Sequence, residues 1–102
     1  MITHSVFFKL KFPKGSLEER KFLGAAAKLA SIPEVRNFRT LLQLSSKNNF
    51  DYGLTMDFDR RDDYDSYSQH PDHVAFVDTF WAGYVADFME IDYVEADLTE
   101  LL

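Results

Sequence analysis

Tyr67-Ser68-Gln69-His70-Pro71-Asp72-His73 decides how the second half of this 102-residue chain folds. A proline inside a helix lacks the N–H that closes the turn, and it forces the residue before it toward extended backbone. At the first position of a helix it costs nothing, because that N–H has no intrahelical partner anyway. The stretch therefore predicts one helix ending near Gln69 and another starting at Pro71. His70 falls at the N-cap, Asp72 at the second position and His73 at the third. Two of the three histidines in the chain lie here. Histidine is the side chain that titrates near neutral pH without perturbation, so acid–base chemistry would centre on this segment.

Upstream, residues 2–12 alternate, with Ile2, His4, Val6, Phe8, Leu10 and Phe12 on one face. This predicts a strand with one well-buried side. Pro13-Lys14-Gly15 ends it, and Ser16-Leu17-Glu18-Glu19 matches a capping box. The helix that follows carries an apolar stripe of Phe22, Ala25, Ala26 and Leu29. A second strand is expected over Val35–Leu44, with Phe38, Leu42 and Leu44 on one side. A third carries Tyr52, Leu54, Met56 and Phe58. Asp62 is the expected cap of a short helix through Tyr64 and Tyr67. The helix from Pro71 should bury Val74, Val77, Phe80 and Trp81 and stop at Gly83. Met89, Ile91 and Tyr93 alternate in a last strand.

The element order is β-α-β-β-α-β. That order predicts an α+β, ferredoxin-like antiparallel sheet with helices on one face. One domain is expected over residues 1–97, with a C-terminal tail at 98–102. The strong apolar rows should face the helices. The opposite face is mixed, offering Phe7, Leu41, Thr55 and Val94. A second copy of the chain is the economical cover for such a face.

Composition excludes several function classes. The formal charge is −6 and the eleven Lys and Arg are scattered, so neither nucleic acid nor an anionic membrane surface is an expected partner. No apolar run is long enough to span a bilayer. The chain contains no cysteine, which removes disulfides and thiolate chemistry. With no signal-like start, a cytoplasmic location is expected. The 46% apolar share, with ten Phe, five Tyr and one Trp, can build a real core.

The chain resembles the stress-responsive dimeric α/β-barrel (Dabb) domain family. The resemblance rests on His4-Ser5-Val6-Phe7-Phe8-Lys9-Leu10, Phe50-Asp51-Tyr52, Phe58, the Tyr67–His73 segment and Asp92-Tyr93. It implies a homodimer whose two sheets close into one barrel. Most such domains have no assigned reaction. One plant branch cyclises a polyketide, and there the histidine matching His73 is the base, helped by the tyrosine matching Tyr67. The histidine matching His4 lies in the same cavity. Tyr52 stands where that enzyme has a further cavity histidine, a departure that bears on the cyclase reaction itself.

The residues suggest related chemistry without the family. The positive end of a helix disfavours an imidazolium at His73, while Asp72 beside it pulls the other way. Tyr67 could donate to an oxyanion as a carbonyl compound loses a proton. His4 shares the face of Val6, so His73, Tyr67 and His4 would line one pocket. Phe8, Leu54, Phe76 and Phe80 would wall it. The resemblance adds Tyr52 to the lining of this pocket, and His70 is counted with it. No metal and no organic cofactor is expected. His70 and His73 are a poor pair for zinc, and the acidic run from Asp57 to Asp65 lacks the spacing of a calcium loop. Three readings stay open. One is a small barrel of undefined, stress-related role holding an apolar or carbonyl-containing ligand. Another is a cofactor-free isomerase or cyclase. The last is a structural dimeric module in which the histidines only brace the helix break.

Overall fold

Strand β1 (Ile2–Leu10) runs through the middle of a four-stranded antiparallel sheet in the computed structural model, which describes residues 1–101. It is flanked by β3 (Tyr52–Phe58) and β4 (Val85–Tyr93), with β2 (Arg36–Leu42) outside β3, giving the order β2-β3-β1-β4. Helix α1 (Leu17–Ala27) continues into a 3₁₀ turn at Lys28–Ser31. Helix α2 (Arg61–Gln69) is followed by α3 (Pro71–Phe76), a π-helical turn (Val77–Trp81) and α4 (Ala82–Tyr84). A last turn, α5, spans Leu98–Leu101. Helices on one face of a four-stranded antiparallel sheet make the ferredoxin-like α+β fold. Among the described residues, no helix is long and apolar enough to cross a membrane.

The core is aromatic and centres on Phe8. Its ring lies 5.2 Å from Phe22, 5.4 Å from Tyr52 and 5.3 Å from Trp81, joining β1, α1, β3 and the π-helical turn. Phe22, Phe58, Ile32, Leu54 and Met56 are fully buried around it. Each such side chain contributes about 1.5–3 kcal/mol by leaving water. Ser16 caps α1 by accepting from the Glu19 N–H at 3.2 Å. The reciprocal half of the capping box is replaced, because the Glu19 carboxylate takes the Tyr52 hydroxyl instead.

Several expected details differ. Phe12 lies past β1 and rests on Tyr84. β2 ends at Leu42, and Leu44 is 95% exposed beyond it. The alternation in β2 fails because Asn37 adopts φ 52° and shifts the register between Arg36 and Arg39. Asn tolerates that backbone, and its side chain donates to Asp57 at 2.8 Å. The cap of α2 is Arg60 with no side-chain bond, and Asp62 sits inside the first turn. Its negative charge there suits the helix dipole. Val74 is exposed and Phe76 takes the buried position, because the stripe is phased from the Pro71 start as His73, Phe76 and Val77. Gly83 is helical, and the turn ends one residue later at Tyr84.

The largest correction concerns β4. His4 pairs with Asp92, Val6 with Glu90 and Phe8 with Phe88, so those three β4 residues share the helix side. Met89, Ile91 and Tyr93 pair with Phe7, Ser5 and Thr3 on the helix-free face. The apolar row faces away from the helices, and the acidic row faces them. Alternation alone cannot tell the two faces of an edge strand apart when both carry large side chains. Val94 lies past the strand end.

Phe7 on the free face lies over Gly53 of β3, its register partner. A Cβ at Gly53 would come within 2.9 Å of the Phe7 ring and 3.4 Å of the Leu41 Cβ. Gly53→Ala is therefore expected to displace that ring and lower stability by about 1–3 kcal/mol, the usual cost of overpacking. Urea denaturation measures it, and a midpoint equal to that of the parent would show that the ring has room to move.

Candidate functional site

The break at Pro71 builds the setting of His73. In an unbroken helix residue 71 would bond the Tyr67 carbonyl and residue 72 the Ser68 carbonyl. Pro71 has no N–H to give. The His70 N–H takes the Tyr67 carbonyl at 3.1 Å, and the Asp72 N–H turns to the His70 ring at 3.0 Å. The Ser68 carbonyl is left over, and the His73 Nδ1 lies 3.0 Å from it. A carbonyl only accepts, so Nδ1 carries the proton and Nε2 carries the lone pair in the neutral ring. Burial pushes the His73 pKa below its ordinary value, and the Ser68 carbonyl only partly offsets this. The ring is thus a neutral base near pH 7.

A cavity of about 310 Å³ lies between the sheet and α3, with His4, Tyr67, His73 and Glu90 as its polar lining. Leu54, Met56, Phe76, Trp81 and Phe88 are among its apolar walls. The Tyr67 and His73 rings are 4.5 Å apart. Burial, reinforced by the charge of Glu90, pushes the Tyr67 hydroxyl well above its usual range, so it stays protonated. Tyr67 lines the cavity, and its hydroxyl makes no side-chain hydrogen bond among the described residues.

His4 is held by a separate cluster. Its Nδ1 lies 2.5 Å from Asp92 Oδ1 and 2.9 Å from the Tyr64 hydroxyl oxygen. The Tyr64 proton is given to Asp92 Oδ2 at 2.8 Å. The His4 Nδ1–H therefore faces both oxygens, and Nε2 is turned toward Glu90 Oε1 at 3.9 Å. Burial and the bond to Asp92 hold the Tyr64 hydroxyl protonated too.

The structure brings His4, Tyr67, His73, Leu54 and Phe76 to one cavity. Four other expected lining residues lie elsewhere. Tyr52 is buried at the far end of β3 and donates to Glu19. Phe8 is in the centre of the core. His70 is spent on the helix break, as C-cap of α2 and N-cap of α3. Phe80 lines a wider, more open groove of about 730 Å³ between α1 and α3, which touches none of the three imidazoles. Tyr64, Glu90 and Asp92 were not singled out by residue chemistry. Their signal was the β4 register, which sends Glu90 and Asp92 to the side of His4. Among the described residues, no group of three or more His, Asp or Glu side chains is placed to hold a metal ion.

No curated protein matches this sequence closely enough to lend it a function. Among solved structures, a Dabb-family protein with a ferredoxin-like fold from Mesorhizobium loti is 44% identical, with a TM-score of 0.92 over 94% of this chain and 97% of that one. A dimeric ferredoxin-like protein of unknown function from Thermobifida fusca is 27% identical, with a TM-score of 0.77 over 92% and 90% of the two chains. The hydroxynitrile lyase of Passiflora edulis, at 16% identity, a TM-score of 0.82 and 94% of each chain, shares the fold. The model of the stress responsive A/B barrel domain matches residues 2–95. The chain belongs to the stress responsive A/B barrel (Dabb) family.

Proposed function

We propose that this protein is a homodimeric, cofactor-independent acid–base catalyst acting on a small carbonyl compound held between sheet and helices. The observation that carries this reading is the fixed tautomer of His73. Its Nδ1–H is committed to the Ser68 carbonyl, which leaves the Nε2 lone pair on a ring 4.5 Å, ring to ring, from Tyr67, whose hydroxyl makes no side-chain hydrogen bond among the described residues. A base takes the proton from the carbon beside the carbonyl, and Tyr67 donates to the oxygen as negative charge gathers there. Asp92 and Tyr64 fix the His4 ring with its Nδ1–H spent on them, so the neutral ring turns an acceptor, Nε2, toward the cavity. The apolar walls keep water from competing with these bonds. Isomerisation and cyclisation both begin with such a step.

Dimerisation is the second part of the reading. Met89, Ile91 and Tyr93 are 45%, 41% and 51% exposed on the helix-free face, beside Phe7 and Leu41. A contiguous apolar sheet face of this kind marks an interface, and the Thermobifida fusca relative is described as dimeric. The domain is taken as residues 1–97, with a tail at 98–102 that lies beyond the family match over residues 2–95. The cytoplasm is the compartment proposed for a chain that has no cysteine to oxidise.

Light scattering at micromolar concentration should therefore give twice the 11.9 kDa chain mass. Ile91→Arg should shift the population toward the single chain, since a buried unpaired charge disrupts an interface. A single-chain mass for the parent protein would end the barrel model.

Hydrogen–deuterium exchange at the carbon beside the carbonyl, followed by NMR with benzylacetone as probe, tests the chemistry. His73→Ala and Tyr67→Phe should each slow protein-dependent exchange by about 10²–10⁴-fold, the usual value of general acid–base help. The rate should rise with pH and level off below the ordinary histidine value of about 6.5, because the neutral ring is the active form and its pKa is lowered. Linkage gives the same sign for stability. A folded-state pKa below the unfolded one makes the contribution of His73 complete above about pH 6.5 and lost as pH falls through the folded value. Parent-like exchange in His73→Ala would refute the base assignment. Loss of thermal stability alone, with no exchange in any variant, would favour the structural module.

A further inference from the structure

We infer that Glu90 makes this cavity select uncharged ligands against carboxylates. The inference rests on the reading of the cavity as a site for a carbonyl compound and adds its substrate class. Among the described residues Glu90 is the one carboxylate lining the cavity, and none of the twelve lining residues is Lys or Arg. Asp92 is spent, with one oxygen on His4 and the other on Tyr64. His4 does not supply a compensating charge. When protonated it is neutralised by Asp92 at 2.5 Å, and when neutral the pair is negative. The charge facing a ligand is therefore set by Glu90, whose Oε1 lies 3.9 Å from His4 Nε2 and makes no closer bond.

Glu90 is among the charges that hold the Tyr67 hydroxyl protonated and that favour the charged form of His73. An anion bound beside Tyr67 and His73 would meet the same field. More than half of the Glu90 side chain faces solvent, so water and salt weaken the effect from outside. Low-dielectric walls such as Trp81, Phe88 and Phe76 do the opposite along the cavity. The chain as a whole carries −6 and adds to the repulsion of anions. A neutral ketone of the same size loses nothing by this. Its oxygen needs donors, and Tyr67 provides one.

Benzylacetone and hydrocinnamate test the point, since they share one apolar body and differ in a methyl ketone against a carboxylate. Titrations followed by NMR at pH 7.5 should show benzylacetone saturating the shifts of cavity residues. Hydrocinnamate should bind at least about tenfold more weakly. In Glu90→Gln that gap should close to about twofold, with benzylacetone affinity little changed. In the free variant, His73 should titrate at lower pH than in the parent, because a charge favouring its protonated form has gone. Equal affinity of the parent for both probes, or a gap that persists in Glu90→Gln, would overturn the charge filter and leave the carbonyl site standing. An unmoved His73 titration would overturn it as well. Failure of benzylacetone to perturb any cavity residue would overturn the carbonyl site, and the filter with it.

Discussion

The missing N–H of Pro71 is the constraint on which the candidate site depends. One absent donor redistributes three backbone partners. The Tyr67 carbonyl is satisfied by His70, the Asp72 N–H by a histidine ring, and the Ser68 carbonyl by His73. Each is a local bond worth about 0.5–1.5 kcal/mol net. Together they turn α3 away from α2 and fix which nitrogen of His73 holds the proton. A proline that would cost about 3 kcal/mol inside a helix serves here as the start of one. The same break sets the phase of the helix that follows. His73, Phe76 and Val77 point inward from the Pro71 start, and the π-helical turn then adds a residue so that Trp81 still reaches Phe8. Such turns recur at functional sites because they re-aim side chains.

Much of this was legible in the sequence because the rules involved are local. Proline at a helix start, the pre-proline restriction, alternation in β1 and β3 and the stripe of α1 each depend on a few neighbouring residues. The element order and the ferredoxin-like topology follow from them. So does the placing of His70, Pro71 and Asp72, whose positions on α3 are fixed by a single residue. The resemblance to the family pointed the same way, through the segment that holds the break.

What was not legible is long-range or two-sided. Asn37 in left-handed backbone, and the bulge it makes, depend on Asp57 across the sheet. Tyr52 was expected at the cavity because the resemblance aligns it with a cavity histidine, and it does share the face of Leu54 and Met56. A pleated strand spans several residues, however, and Tyr52 at one end meets Glu19 of α1 while Met56, nearer the other, meets the cavity. Face membership gives the side of the sheet and not the position along it. Phe80 shares its helix with Phe76, yet it falls on the groove toward α1. The β4 row was inverted for a related reason. A strand whose apolar and acidic residues alternate is normally read with its acids in water. Here both faces of that strand stay largely exposed. With burial this even, hydrophobicity does not decide the orientation of β4, and pairing with β1 does.

The polar cluster around His4 follows from that inversion. Once Asp92 is opposite His4 in the register, a buried imidazole has a carboxylate within reach, and Tyr64 from α2 closes the group. A polar group taken from water without a partner costs free energy, so His4 at 5% exposure needs such an arrangement wherever the chain places it. That need alone could make the cluster structural. The cavity beside it is harder to explain by stability. Filling it with larger apolar side chains would add dispersion contacts, and leaving Tyr67 without a hydroxyl partner gains nothing for the fold. Open space beside the Tyr67 hydroxyl and the neutral His73 ring is what the proposed site would use. A molecule that filled the space and accepted from Tyr67, as the proposed carbonyl site requires, would supply the contacts that the open cavity lacks.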